Sequence, residues 1–332
     1  MKGRGVVRVI EVPRFGGPEV LAVGEVPDLV ARPGQAVVRV SAADVLFVDT
    51  IIRHGLGVDF FAIRPPYVPG NGVVGRVIST GDGVDSAWIG SAVVAHTGES
   101  GGWGGYAEQA AVPAENLIAV PDGLAPPDAV ALLHDGATAM GLLERIGVKP
   151  GEWVLVTAAA GGMGIVLVQL ARAAGGRVIG AARGEHKLAA VRVVGAEAVV
   201  DYSTEDWTDR VRALTDGRGV DVVFDGAVGR LGAAAFDVTA DGGRFSAHGL
   251  SAGGFAGIGP EAAARRGVTV SGIEQGPFSP ADFKRLATQA LHEAATGRIR
   301  PLIGQTFPLD QAPAAHAALE ARSTIGKTLL LT

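Results

Sequence analysis

Trp153-Val154-Leu155-Val156-Thr157-Ala158-Ala159-Ala160-Gly161-Gly162-Met163-Gly164 decides the fold. An apolar run of strand character ends in small residues and passes into the helical pattern Gly164 to Ala174. Read as G-x-G-x-x-G, the three positions hold Ala159, Gly161 and Gly164, so the first glycine has become alanine. The physics survives that change. Gly161 and Gly162 let the backbone approach a pyrophosphate, and the amides opening the helix point at it. A lone glycine motif also fits a mere tight turn, but the following strand Arg177 to Ala181 argues for a dinucleotide site.

Outward from this loop toward the C terminus, the pattern alternates strand and helix. Helix Glu185 to Val194 and strand Ala198 to Val200 come next, then strands Val220 to Asp225, Gly243 to His248 and Val268 to Ile273. Six such strands predict a doubly wound parallel sheet covered on both faces. The second strand ends Ala181-Ala182-Arg183, about twenty residues past the glycines. An NAD site would place Asp or Glu there for the ribose 2′-hydroxyl; Arg183, with Lys187 one helical turn on, suits the 2′-phosphate of NADPH. The other reading is two solvated surface charges.

On the N-terminal side, residues 6 to about 120 form short β-type runs broken by Gly and Pro: Val6 to Ile10, Ala36 to Val40, Gly72 to Ile78, Ser91 to Ala95. The character changes at Ala125-Pro126-Pro127-Asp128, which opens the helical stretch Ala129 to Ile146. After about residue 275 come an amphipathic helix, Pro280 to Thr296, a strand Leu302 to Phe307, a helix Leu309 to Ala321 and a terminal strand Lys327 to Thr332. We therefore expect a mainly β substrate domain discontinuous in sequence, 1–124 with 275–332, around a Rossmann-type domain at 125–274.

Composition narrows the function. The 332 residues are 48% hydrophobic with net charge −5, enough for two domains with sizeable cores and without the basic stripe of a nucleic-acid binder. Met1 to Glu11 alternates like a strand and lacks a signal peptide's apolar core, and no uninterrupted apolar span reaches bilayer length, so the expectation is a cytoplasmic protein without membrane contact. Cysteine is absent, which excludes disulfides and thiolate metal sites.

The chain resembles the quinone oxidoreductase, or zeta-crystallin-like, branch of the alcohol dehydrogenase-like medium-chain dehydrogenase/reductase superfamily. The resemblance is carried in common order by Phe15-Gly16-Gly17-Pro18-Glu19-Val20-Leu21, Val68-Pro69-Gly70, Gly105-Tyr106-Ala107-Glu108, Gly136-Ala137-Thr138-Ala139, Val148-Lys149-Pro150-Gly151-Glu152, the Ala159 to Gly164 loop, Gly195-Ala196 and Gly326-Lys327. It implies a GroES-like catalytic domain, a Rossmann domain, a nicotinamide cleft between them, and a homodimer through strand 268–273. It also implies that Thr138, Ala160, Gly161, Gly162, Met163 and Gly164 hold the cofactor. Lys187, Tyr202 and Arg322 would surround the 2′-phosphate, beside the Arg183 read above from the strand tip. Lys327 would sit near the pyrophosphate or ribose, and Gly226, Ala227 and Gly249 would follow the fourth and fifth strands at the same site.

Zinc-dependent relatives need a catalytic thiolate; Pro69-Gly70-Asn71-Gly72 in a chain without cysteine cannot assemble that centre, so no metal is expected. Without a Lewis acid, conjugated acceptors are easier hydride targets than simple alcohols or ketones. The substrate loop departs from the branch, with Leu46-Phe47 where relatives carry Asn-Pro and Ile51 and Gly57 where they often carry Tyr. A more apolar pocket follows, with Leu46, Phe47, Ile52, Tyr67 and His248 as lining candidates. His134 and Asp135, just before Gly136, are candidates for polarising or protonating substrate, against the alternative of a satisfied helix pair. Asp49 reads as a structural acid, and the glycine-rich stretch Ser251 to Gly259 as a lid or a loose surface loop. The expected activity is NADPH-dependent reduction of a bulky, hydrophobic quinone or α,β-unsaturated carbonyl. An enoyl reductase acting on acyl thioesters in polyketide-type tailoring and a non-redox NADP-binding sensor are the alternatives.

Overall fold

A computed structural model describes residues 5–57, 62–98, 104–249, 257–272 and 278–332. Along the chain its strands are β1 Val6–Glu11, β2 Ala22–Pro27, β3 Gln35–Val45, β4 Gly72–Thr80, β5 Ala92–His96, β6 Gln109–Pro113 and β7 Leu117–Ala119. They continue as β8 Trp153–Thr157, β9 Arg177–Ala182, β10 Ala198–Asp201, β11 Val220–Asp225, β12 Thr239–Ala247, β13 Thr269–Gly272, β14 Ile303–Pro308 and β15 Lys327–Leu331.

The chain divides into two units, residues 1–134 with 287–332, and residues 135–286. Both divisions fall inside helices, Pro126–Ile146 and Pro280–Ala295, beyond the changes of pattern at 125 and 275.

The first unit is built on a seven-stranded sheet in the order β14-β15-β3-β4-β5-β7, with β6 pairing to β3 beside that path. All its pairings are antiparallel except β14 with β15. The C-terminal strand β15 lies between β14 and β3, so the last residues of the chain complete a sheet begun near its start. Its core gathers Ile10, Val38, Val73, Val93, Tyr106, Leu117 and Leu330.

The second unit is a six-stranded parallel sheet in the order β10-β9-β8-β11-β12-β13. This is the expected doubly wound sheet: β8 is buried at every position, as a central parallel strand covered on both faces must be. The reversal of strand order beside β8 marks the crevice at which such sheets bind ligands. Among the described residues, no helix is long and apolar enough to cross a membrane. Trp103 and most of the glycine-rich stretch Ser251 to Gly259 lie outside the described residues, as does Ile273, the last residue of the strand expected at 268–273.

Candidate active site

In the second unit, β8 leads into helix Gly162–Ala173 through Ala158, which takes a positive φ of 50°, and Gly161, which caps the helix without a side chain. Gly161 N donates to Ala158 O at 2.9 Å, closing the turn. A β-carbon on Gly164 would stand 2.5 Å from Ala158 O and 2.8 Å from the Ala159 carbonyl carbon, so only glycine permits this approach of helix to strand. The turn thus keeps its opening amides clear of any side-chain cap, the arrangement an anionic group needs.

Around this turn the carboxyl ends of β8, β11 and β12 are tied together. Thr157 Oγ1 donates to Asp225 Oδ1 at 2.6 Å and accepts from Gly226 N and Ala227 N at 3.0 and 3.1 Å. His248 N and Gly249 N both donate to Asp225 O. A β-carbon on Gly249 would meet Gly226 O at 2.5 Å, so these two glycines, both cofactor candidates, are in close backbone approach. Asp225 Oδ2, Ser246 Oγ and His248 Nδ1 are buried with no hydrogen-bond partner among the described residues. Burial pushes the Asp225 carboxyl above its ordinary range and pushes His248 down to about 4, leaving the imidazole neutral. Orphaned polar atoms at a switch point are what a polar ligand satisfies when it binds. Thr157 and Asp225 were not singled out from sequence; their position at adjoining parallel strand ends was the available signal.

The tip of β9 carries Arg183, exposed, with Lys187 and Tyr202 partly buried in the same unit. The absence of a carboxylate holds for the tip of β9, but the paired tip of β10 brings one close: Asp201 lies opposite Ala182. Its oxygens accept from Gly184 N at 3.0 Å, from Ser203 N at 2.9 Å and from Ser203 Oγ at 2.6 Å. Burial raises its pKa, but these bonds and the Arg183 charge outweigh burial and lower it. Asp201 thus braces the turn that presents Arg183.

A second polar cluster lies in the first unit, at one end of its sheet. Asp44, near the end of β3, is fully buried, and its Oδ2 meets His134 Nδ1 at 2.9 Å and Lys327 Nζ, at the start of β15, at 3.2 Å. Burial alone would raise this carboxyl, but the charges of Lys327 and His134 outweigh it and hold it at about 2. Asp44 Oδ1 lies 2.5 Å from where a β-carbon on Gly72 would stand, so the carboxylate fills space that any side chain at 72 would need. The His96 ring lies 5.7 Å from that of His134, and burial pushes His96 down to about 4. Gly98 N donates to His96 Nδ1 at 3.1 Å, which makes Nε2 the protonated nitrogen. The Asn71 amide nitrogen lies 3.0 Å from His96 Nε2, and its oxygen accepts from Thr97 Oγ1 at 3.2 Å.

The substrate loop is braced from below. Asp49 Oδ2 accepts from Leu46 N at 2.9 Å and from Tyr106 Oη at 3.0 Å, opening helix Phe47–Arg53. His316 lies between Tyr106 Oη, at 3.1 Å from Nε2, and Arg53, whose guanidinium donates to Nδ1 at 2.9 Å. Arg53, fully buried, also pairs with Glu320.

Residues 162–293 match the family described as zinc-binding dehydrogenase, and residues 32–122 the alcohol dehydrogenase GroES-like domain. A 2-haloacrylate reductase from Burkholderia is 33% identical over 98% of this chain and 99% of its own length. A quinone oxidoreductase from Pseudomonas aeruginosa is 32% identical over 97% and 98%. The crystal structure of Escherichia coli quinone oxidoreductase complexed with NADPH superimposes with a TM-score of 0.88 at 28% identity, covering 98% of this chain and all of that one. The chain belongs to the quinone oxidoreductase branch of the medium-chain dehydrogenase/reductase superfamily.

The superfamily description raises zinc, and the donor set of this quinone oxidoreductase relative does not fit it. The chain has no thiolate, and among the described residues no three His, Cys, Asp or Glu side chains converge as ligands. Several pocket candidates find other surroundings. Ile52 and Tyr67 are packed in the core of the first unit, at 1% and 5% exposure, Ile52 on the inward face of helix Phe47–Arg53 and Tyr67 in an antiparallel bridge with Val12. Leu46 and Phe47 stay partly exposed, and the Arg322 guanidinium lies 4.8 Å from the centre of the Phe47 ring. Lys327, expected beside the pyrophosphate or ribose, is 4% exposed against Asp44. The charges that lower Asp44 most are those of Lys327 and His134; Asp135 follows about 100° further round the helix.

Proposed function

We propose that the chain is a zinc-independent, NADPH-dependent reductase of a quinone or an α,β-unsaturated carbonyl, with a bulky hydrophobic substrate. The observation that carries it is the crevice at the ends of β8, β11 and β12. An uncapped helix start, a glycine that admits no β-carbon and three orphaned buried polar atoms meet there, in a unit that also presents Arg183 and Lys187. Gly161, Gly162, Met163 and Gly164 would hold the pyrophosphate, and Arg183, Lys187 and Tyr202 the 2′-phosphate. Bound NADPH supplies the hydride from C4 of its nicotinamide. The residues of the chain orient the acceptor and keep water from it, which supplies much of the barrier reduction. An activated double bond accepts hydride without a metal because the arriving charge spreads over carbon and oxygen. A homodimer through the β13 edge and a cytoplasmic location, where reduced coenzyme is replenished, complete the reading.

NADPH oxidation followed with a quinone, a simple enone and an enoyl thioester tests it. Turnover of the quinone or enone above the thioester is the expected result. Preference for the thioester would make the chain an enoyl reductase, and tight NADPH binding without turnover of any acceptor would make it a sensor.

A further inference from the structure

We propose that Asp201 is a positioning residue for coenzyme choice: its carboxylate clamps the turn after β9 to the tip of β10, and so sets Arg183, Lys187 and Tyr202 in register to grip a 2′-phosphate. The proposal rests on the phosphate assignment made above.

The clamp lies wholly within the second unit. β9 ends at Ala182, opposite Asp201, and Arg183 follows. Gly184, at a φ of 78°, then opens helix Glu185–Val193 with no side chain of its own to cap it. Gly184 O accepts from Lys187 N and Leu188 N, both at 3.2 Å, so the first helical turn, Lys187 included, follows wherever Gly184 is set. Asp201 Oδ2 sets Gly184 by accepting its N–H at 3.0 Å. On the other side, Asp201 Oδ1 accepts from Ser203 N at 2.9 Å and Ser203 Oγ at 2.6 Å. Tyr202 lies between them, and its N donates to Ala182 O at 3.2 Å, directly before Arg183. All three phosphate candidates are thus fastened through the backbone to one carboxylate.

The residue type matters. The two carboxylate oxygens accept N–H groups from two different segments, a task an asparagine cannot share, since its NH2 would face one of those donors. The cost is a negative charge near an anion site. Burial would raise the Asp201 carboxyl, but the bonds from Ser203 and Gly184 and the Arg183 charge outweigh it and lower it, so the charge is kept. Removing that charge relieves repulsion, which would tighten NADPH, and releases the clamp, which would weaken it. At a part-exposed strand tip salt screens the repulsion over about 8 Å, whereas the clamp directs every phosphate candidate at once, so the clamp dominates.

Calorimetric titration of the full chain with NADPH, NADH, adenosine 2′,5′-bisphosphate and 5′-AMP tests this. The proteins compared are wild type, Asp201→Asn, Ser203→Ala, Arg183→Ala with Lys187→Ala, and that pair combined with Asp201→Asn. Asp201→Asn should weaken NADPH and the bisphosphate about tenfold, and NADH and 5′-AMP less than about twofold, the worth of one misdirected charge-assisted hydrogen bond. Ser203→Ala removes one donor and keeps both amides, and should weaken NADPH about threefold; it decides alone if circular dichroism shows Asp201→Asn unfolded. Added to the Arg183 and Lys187 pair, Asp201→Asn should change NADPH affinity less than about twofold, because the cations it positions are gone. Parallel losses of NADPH and NADH, NADPH binding as tight as wild type or tighter, or a full further loss in the combined variant would overturn the clamp. A preference for NADPH that disappears with Arg183 and Lys187 but survives both Asp201→Asn and Ser203→Ala would remove the clamp alone. Wild-type binding of the bisphosphate no tighter than 5′-AMP would remove the phosphate assignment and the clamp with it.

Discussion

The proposed coenzyme choice is set at single residues. Arg183 is exposed at the tip of β9, held there by a turn whose amide at Gly184 is fixed by Asp201. Replacing Arg183 and Lys187 together by alanine should weaken NADPH binding about tenfold or more, the worth of one to two charge-assisted hydrogen bonds, and leave NADH nearly unchanged. Calorimetric titration with both coenzymes checks this; equal losses would count against the phosphate assignment. Gly164 is the second such residue. Gly164→Ala drives a β-carbon to 2.5 Å from a carbonyl oxygen of the backbone, which must move. An overpacking cost of about 1–3 kcal/mol is expected in chemical denaturation, with loss of nucleotide affinity because the displaced backbone forms the proposed cradle.

The helix Phe47–Arg53 belongs to a larger scale, because its N terminus rests on one carboxyl. Burial pushes Asp49 up to about 7 in the folded chain, although the Leu46 amide and the Tyr106 hydroxyl favour its charged form. Between its unfolded value near 4 and about 7, the folded state therefore holds a proton that the unfolded state has lost, and stability falls as pH rises across that window. Asp49→Asn mimics the protonated carboxyl and should flatten this part of the profile. Urea denaturation from pH 5 to 7.5 reads the difference, and a wild-type profile as flat as the variant's would refute it. Asp44 runs the opposite way. Its pKa is held at about 2, so its contribution is present above about 4 and is lost as pH falls toward 2.

At the scale of the molecule, β13 is one of the two edge strands of the six-stranded sheet, opposite β10, and its four residues offer backbone groups for pairing. The proposed dimer predicts sedimentation at twice the chain mass of 33.7 kDa, and Ser271→Lys on that edge should return it to the single-chain value. An unchanged dimer would place the interface elsewhere. Saturating NADPH should also raise the melting temperature, since a ligand at about 100 times its Kd stabilises by about 2.7 kcal/mol.

The sequence determined the parallel sheet and its glycine turn, because those signals are local: a buried strand is a run of apolar residues, and a backbone approach demands glycine at a fixed spacing. Val220–Asp225 was legible to the residue for that reason. The short strands β6 and β7 were not, since three to five residues of mixed character acquire their pairing only from neighbours. Only the tertiary structure decided that Asp44 meets His134 and Lys327, that Tyr106 reaches Asp49, and that Ile52 faces the core. Those contacts join residues 57 to 283 positions apart, and no local pattern encodes which distant strand end will stand beside a buried carboxylate.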